Sequence, residues 1–262
     1  MTDFLDQLAK ESIQRTRDGY YNIEGRFERE PLSFVKAIKS CKHIPIIAEM
    51  KKRSPSLGNI REEIDPAQVA SAFKDGGAVG ISVITEPDQF GGSLQLLSKV
   101  REIVTLPILM KDIVTSEVQV EAASRIGANA ILLINALFER GHCKFSLQDM
   151  IELVHSRGLE ILLETHEEEE FFHAVDTKAD MIGINNRDLA DLSVDLETSY
   201  KILKNRTAKD RIIVVESGLQ NRKDLVRLLK LGANAFLIGS SIMRARDIEE
   251  KVKEFTAIHE DC

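Results

Sequence analysis

A weak internal repeat constrains this chain more than any other feature. Gly77-Ala78-Val79-Gly80 leads into Ile81-Ser82-Val83-Ile84, and Gly127-Ala128-Asn129-Ala130 into Ile131-Leu132-Leu133-Ile134. Lys178-Ala179-Asp180-Met181 leads into Ile182-Gly183-Ile184-Asn185, and Gly232-Ala233-Asn234-Ala235 into Phe236-Leu237-Ile238-Gly239. The starts recur every ~50 residues, the mark of a repeated structural unit. Each follows a helical pattern, such as that over residues 224–231. Glycine after a helix is a C-cap signal, and the short apolar run beyond it reads as a buried parallel strand. Four further strands are predicted between these, over residues 44–49, 107–111, 160–164 and 211–216. Eight strands alternating with helices mean βαβ units and a parallel sheet. Four copies of a two-strand unit tile a ring, so a closed (β/α)₈ TIM barrel is favoured over an open doubly wound sheet. The first strand is followed by no G-x-G-x-x-G, which counts against dinucleotide binding. The length of 262 residues suits one such barrel.

The predicted domain plan is therefore a single barrel over residues 44–262, preceded by an N-terminal helical extension over 1–43. Phe4, Leu5 and Leu8 have helical spacing, and Ser33 can cap a second helix through Ile38. The extension reads as a helical lid over the bottom or rim of the barrel, with a separate binding arm as the alternative.

Charge narrows the partners. A net charge of −7 disfavours nucleic acid or a membrane surface. It leaves room for a small anionic ligand held by local lysines and backbone N–H groups. No apolar run approaches membrane-spanning length, and no signal-peptide core opens the chain, so a cytoplasmic location is expected. Cys41, Cys143 and Cys262 are few and scattered, which reads as free thiols rather than a disulfide or metal framework.

Aligned on their apolar runs, the odd-numbered strands each end in one charge at the same level: Glu49, Lys111, Glu164 and Glu216. Side chains of alternate strands share a layer inside such a barrel, so these four are expected together at its C-terminal mouth, where barrels of this type carry out chemistry. Lys51 lies two residues beyond Glu49 and points the same way, one layer higher. Strand-end charges can simply face water, but four in register on alternate strands are poorly explained that way, since folding alone does not call for converging charges. A lysine between glutamates stays protonated and aimed, as a general acid must. A glutamate beside a lysine stays ionised, as a base or a stabiliser of positive charge must. Asn185 and Arg187, ending the sixth strand, add an amide to orient an oxygen and a guanidinium to hold an anion.

The seventh strand ends Glu216-Ser217-Gly218 and the eighth Gly239-Ser240-Ser241. Small residues there let backbone N–H groups approach a phosphate, the common use of these two loops. Ser54-Pro55-Ser56, after the first strand, can close the same pocket from the other side. His166 and His173 flank Glu167-Glu168-Glu169-Glu170, which is not H-E-x-x-H; a carboxylate-rich helix start is the simpler reading. Four other histidines, His43, His142, His155 and His259, show no partners in the sequence. Phe171-Phe172 reads as core packing.

Seven ordered blocks carry a resemblance along nearly the whole chain. They are Ile47-Ala48-Glu49-Met50-Lys51-Lys52-Arg53-Ser54-Pro55-Ser56, then Ser82-Val83-Ile84-Thr85-Glu86 with Phe90-Gly91-Gly92-Ser93, and Pro107-Ile108-Leu109-Met110-Lys111-Asp112. Next come Glu164-Thr165-His166 with the glutamates after it, and Ile182-Gly183-Ile184-Asn185-Asn186-Arg187-Asp188-Leu189. Glu216-Ser217-Gly218 and Leu237-Ile238-Gly239-Ser240-Ser241 complete them. In these blocks the chain resembles the indole-3-glycerol phosphate synthases, lyases of the tryptophan pathway.

That resemblance implies the substrate 1-(2-carboxyphenylamino)-1-deoxyribulose 5-phosphate, ring closure with loss of carbon dioxide and then water, and no cofactor or metal. It implies Lys111 as general acid at the ketone oxygen, and Lys51 as a second cation near the substrate carboxylate. Glu164 becomes the base or the stabilising anion, and Glu49 the group that orients Lys111. Asn185, Arg187, Glu216, Ser217 and Phe90 would bind the substrate. Ser54, Gly218, Gly239 and Ser240 would cradle its phosphate. The implied partner is this small phosphorylated molecule, with no obligate protein partner. Two places depart from expectation: the loop Ile113-Val114-Thr115-Ser116-Glu117-Val118-Gln119, where the family has an Asp and an aromatic-Gln step, and Asn135, where an apolar or small residue is expected. Two other readings stay open: a sugar-phosphate isomerase, which does not need two lysines at the mouth, and a catalytically silent barrel that binds phosphorylated ligands.

Overall fold

Eight apolar runs become the strands β1 (Ile46–Met50), β2 (Gly80–Ile84), β3 (Ile108–Lys111), β4 (Ala130–Ile134), β5 (Glu160–Thr165), β6 (Met181–Asn185), β7 (Ile212–Glu216) and β8 (Ala235–Ile238). The computed structural model describes residues 3–27, 32–61, 63–205 and 211–257, so His259 and Cys262 lie outside the described residues. Each strand pairs in parallel with the next, and β8 closes on β1 through Ile46↔Phe236, Ile47↔Leu237 and Ala48↔Ile238. The TIM barrel is thus as the repeat predicts. Strand β1 starts later than expected because Ile44 donates its N–H to the Thr256 carbonyl, and Pro45 has no N–H for a ladder.

The strands read as continuous apolar runs because both faces are buried. Ile47, Leu109, Leu132, Leu162, Val214 and Leu237 point inward and fill the barrel. Their neighbours Ile46, Met110, Ile131, Leu163, Val215 and Phe236 point outward against the helices. Strand alternation then sets the next inward positions. Two residues beyond Ile47, Leu109, Leu162 and Val214 stand Glu49, Lys111, Glu164 and Glu216. The helices Glu117–Arg125 and Arg222–Lys230 each stop two residues before a glycine, Gly127 (φ +85°) and Gly232 (φ +102°), whose left-handed backbone turns the chain back into a strand.

The N-terminal extension divides between the two ends of the barrel. Helix α1 (Phe4–Arg17) lies at the C-terminal mouth. Its Leu5, Leu8 and Ala9 are buried with Ile113 and Leu137, and its Ser12 hydroxyl donates to the Ile113 carbonyl at 2.5 Å. Tyr21, just beyond, donates to Asp112 Oδ1 at 3.0 Å, and Thr85 donates to Asp112 Oδ2 at 2.5 Å. Burial pushes the Asp112 carboxyl up to about 6, against the hydrogen bonds from Thr85 and the Ile113 N–H and the nearby Arg15. Helix α2 (Phe34–Ser40) plugs the opposite end. The Phe34 ring fills the space beside Gly80, where no Cβ would fit. The Glu160 carboxylate, at the foot of β5, accepts from the Phe34 N–H at 2.6 Å and from the Ser33 hydroxyl, capping the helix start. Among the described residues no helix is long and apolar enough to cross a membrane.

Candidate active site

The four aligned charges do meet at the mouth. Lys111 Nζ donates to Glu164 Oε2 at 3.0 Å and stands 3.4 Å from Glu216 Oε2. Asn185 Nδ2 donates to the other Glu164 oxygen at 2.8 Å, so Glu164 is held from two sides. Lys51 Nζ lies 2.7 Å from Glu49 Oε1. The arrangement is two lysine–glutamate pairs with Glu216 beside one of them. Glu49 therefore takes Lys51 as its direct partner rather than orienting Lys111 by contact. The carboxylates are at most 4% exposed, while the lysine side chains are 14% and 19% exposed, so the lysines present more surface to the cavity than the glutamates that also line it.

Electrostatics sort these groups. Burial disfavours charge on Lys111, but Glu164, Glu216 and Glu49 outweigh it and hold its pKa well above that of an ordinary lysine. Burial likewise opposes ionisation of Glu49, yet Lys51 and Lys111 hold its carboxyl below the usual range. Glu216 goes the other way: burial, reinforced by Glu164 and Glu49, pushes it up to about 8 despite Lys111. The result is a fixed ammonium on Lys111 and a fixed carboxylate on Glu49, a division that suits proton donation beside a stabilising anion.

A cavity of about 840 Å³ opens above the ring. One wall is apolar, built from Leu8, Phe90, Ile113, Ile134 and Leu189. The opposite side carries Ser217, Gly218, Gly239 and Ser240, with Arg244 beside them. Ser217 takes a left-handed backbone (φ +65°), uncommon for a residue with a Cβ, and Asn186 Nδ2 donates to its carbonyl at 3.0 Å. Gly239 precedes the helical turn Ser240–Met243, whose first N–H groups have no intrahelical acceptor. This glycine has a second duty that the sequence hides. A Cβ there would collide with the Glu49 carboxylate, which packs against the end of β8. Gly183 does the same for Glu216, whose Oε1 would lie 2.7 Å from an added Cβ.

The remaining expected residues are near but already engaged. Asn185 accepts from the Arg187 N–H at 2.9 Å while its amide holds Glu164. Arg187 donates to Ser56 Oγ at 3.0 Å and to the Leu192 carbonyl at 2.7 Å, tying the loop after β6 to the loop after β1. Ser54 lies in a small ribbon, Arg53–Ser54 against Gly58–Asn59, and its hydroxyl meets that of Ser56 at 3.2 Å. Both serines line the cavity, as does Arg187.

Sequence reasoning named Phe90 but missed the rest of the apolar wall and Arg244. Leu8 carried a signal, since its helical spacing with Leu5 marked a buried face; Arg244 comes four residues after Ser240 and so shares its side of a helical turn. The two departures also find physical reasons. In the loop after Asp112, Gln119 Oε1 accepts from the Thr115 N–H at 2.8 Å, and its amide donates to the Ile113 carbonyl at 2.8 Å and to Ser12 at 3.2 Å. That side chain ties the loop to α1. Asn135 opens the helix Asn135–Glu139 directly after β4, where its Nδ2 donates to Glu139 Oε1 at 2.8 Å. His166 bonds the Asn185 carbonyl at 2.8 Å, and Glu167 with Glu170 forms a capping box on the helix Glu168–Val175. Phe171 is fully buried in the outer core.

A family model described as "Indole-3-glycerol phosphate synthase" matches residues 6–255. Among curated relatives, an indole-3-glycerol phosphate synthase of Acetivibrio thermocellus is 40% identical over 96% of this chain and 95% of its own length. One of Desulfotalea psychrophila is 39% identical over 93% and 95%. One of Methanocaldococcus jannaschii is 43% identical over 87% and 84%. Among solved structures, the N-acetylmannosamine-6-phosphate 2-epimerase of Clostridium perfringens superposes with a TM-score of 0.60 at 16% identity, over 87% of this chain and 98% of that one. A thiamine phosphate pyrophosphorylase from Pyrococcus furiosus gives 0.58 at 18% identity, over 81% and 93%. These two likenesses speak to the barrel fold alone.

Proposed function

Because the chain belongs to the indole-3-glycerol phosphate synthase family of carboxy-lyases, we propose that the two lysine–glutamate pairs at its mouth divide the work of that reaction. The substrate, 1-(2-carboxyphenylamino)-1-deoxyribulose 5-phosphate, has an aromatic end, a ketone and a phosphate. The apolar wall around Leu8, Phe90 and Ile134 suits the ring, and the Ser217–Gly218 and Gly239–Ser240 ends suit the phosphate, with Arg244 as a nearby cation. With both ends so held, the ketone lies over the lysines.

As the carboxylated ring carbon bonds to the ketone carbon, negative charge gathers on the ketone oxygen. Lys111 donates its proton there; an alkoxide is basic enough to take it even from a strongly held ammonium. Positive charge develops on the ring and its nitrogen, where Glu164, fixed by Lys111 and Asn185, is the nearest stabilising anion. Lys51 meets the substrate carboxylate before carbon dioxide leaves, and Glu49 aims it. Lys51 then protonates the departing hydroxyl while Glu164 takes the ring proton whose loss completes the indole, so that water leaves and the charge balances. Asn185 and Arg187 act by fixing Glu164 and the loops, besides lining the pocket. The observation that carries this reading is the Lys111 amine, 3.0 Å from Glu164 and open to the cavity. The scattered thiols, Cys41 and Cys143 among them, support a cytoplasmic setting.

Ser240→Asp tests the phosphate end. Like charges at 4 Å cost ~1 kcal/mol in water and ~4 kcal/mol near a protein surface. The expected result is a KM raised ~10-fold or more with kcat far less affected. An unchanged KM would move the phosphate elsewhere.

A further inference from the structure

We infer that Glu216 stands in the resting site as an uncharged carboxylic acid, and that its neutrality leaves Lys111 free to turn a proton toward the substrate. This deepens the reading of Lys111 as the acid and rests on it.

The geometry separates Glu216 from the other two buried glutamates. Glu49 has the Lys51 amine at 2.7 Å, and Glu164 has both Lys111 at 3.0 Å and the Asn185 amide at 2.8 Å. Glu216 has only a long 3.4 Å approach from Lys111 to one oxygen. Its other oxygen, Oε1, is fully buried and has no hydrogen-bond partner among the described residues. That oxygen rests over Gly183, in a notch that exists only because β6 carries no side chain there. A carboxylate wants donors on both oxygens, and an ionised one stripped of them is costly. Of three carboxyl groups clustered around one amine, the least solvated is the one that keeps its proton.

The charged groups around it agree. Lys111 on β3 favours ionisation; Glu164 on β5 and Glu49 on β1 oppose it, as does burial, and the balance is a carboxyl pushed up to about 8. Lys51 is committed to Glu49, Arg187 after β6 is turned to Ser56 and Leu192, and the β6 neighbour Asn185 is committed to Glu164. None of these supplies Glu216 with a donor.

The consequence concerns the substrate. An ionised Glu216 would draw a second N–H of Lys111 and add negative charge to a site that must admit a carboxylate and a phosphate. As a neutral acid it does neither. Glu216 is thus a positioning residue with a pH-dependent effect: ionisation at high pH should raise KM and slow the proton-transfer step.

The test reads the proton directly. In ligand-free wild-type protein labelled with ¹³C-glutamate, one side-chain carboxyl resonance should titrate near 8, and it should be missing in Glu216→Gln. The wild-type KM should rise above that pH, while the KM of Glu216→Gln, whatever its absolute rate, should stay flat over the same range. A Glu216 resonance already ionised at neutral pH would overturn the inference, as would an alkaline rise in KM shared by both proteins. The resonance needs no turnover, and circular dichroism must show Glu216→Gln to be folded for the assignment to hold. A wild type that titrates as expected but forms no indole product would sink the assigned reaction and leave the state of Glu216 standing.

Discussion

Lys111→Ala should lose turnover by ~10²–10⁴-fold or more, the usual contribution of a positioned general acid, while KM shifts far less. The reason lies in timing. The ammonium meets the ketone oxygen most strongly once that oxygen carries negative charge, so its loss falls on kcat rather than on ground-state binding. The change also strips the cation from a group of buried carboxylates. Removing one partner of a buried pair typically costs ~3–5 kcal/mol of stability. Part of that cost can be relieved here by protonating Glu216, which is already inclined to hold a proton. Circular dichroism at the assay temperature must therefore accompany the kinetics. A folded Lys111→Ala protein with near-wild-type turnover would remove Lys111 from the acid's role.

The largest effect on stability should come from the opposite end of the barrel. Phe34 is fully buried beneath β2, and its ring fills the space that Gly80 leaves vacant. Phe34→Ala removes the plug and leaves a cavity that a closed ring of strands cannot collapse to fill. Losses of ~3–5 kcal/mol are usual for buried Phe→Ala changes. The urea midpoint should fall accordingly with little change in slope. Kinetic constants of the remaining folded protein should stay close to wild type, because the plug is at the end remote from Lys111. An unchanged midpoint would mean that α2 is not part of the core.

Much of the architecture was legible in the sequence because the barrel imposes two short periods that a linear reading can track. Apolar runs recurring after glycine-capped helices marked the strands, and strand alternation carried inward-facing Ile47, Leu109, Leu162 and Val214 on to the charged ring. What stayed hidden depends on approach in three dimensions. Helical spacing showed that α1 and α2 bury a face, but not that one caps the mouth and the other plugs the base. Gly239 could be read as a phosphate-loop glycine, yet the bar to any Cβ there, set by Glu49, arises from β8 lying beside β1. Glu49 was assigned to Lys111 by resemblance, whereas its nearest amine is Lys51, two residues along its own chain. Asn135 looked misplaced because an apolar or small residue was expected there, whereas a helix begins at once and its amide donates to Glu139.

The most direct measurement is to mix the purified protein with 1-(2-carboxyphenylamino)-1-deoxyribulose 5-phosphate, in the presence of a chelator, and follow indole fluorescence and carbon dioxide together. The chain contains no tryptophan, so its own emission interferes little. The expected result is a fluorescence rise matched mole for mole by carbon dioxide and abolished in Lys111→Ala. A folded protein that binds the substrate yet releases neither product would contradict the assigned chemistry and leave a barrel that only holds phosphorylated ligands.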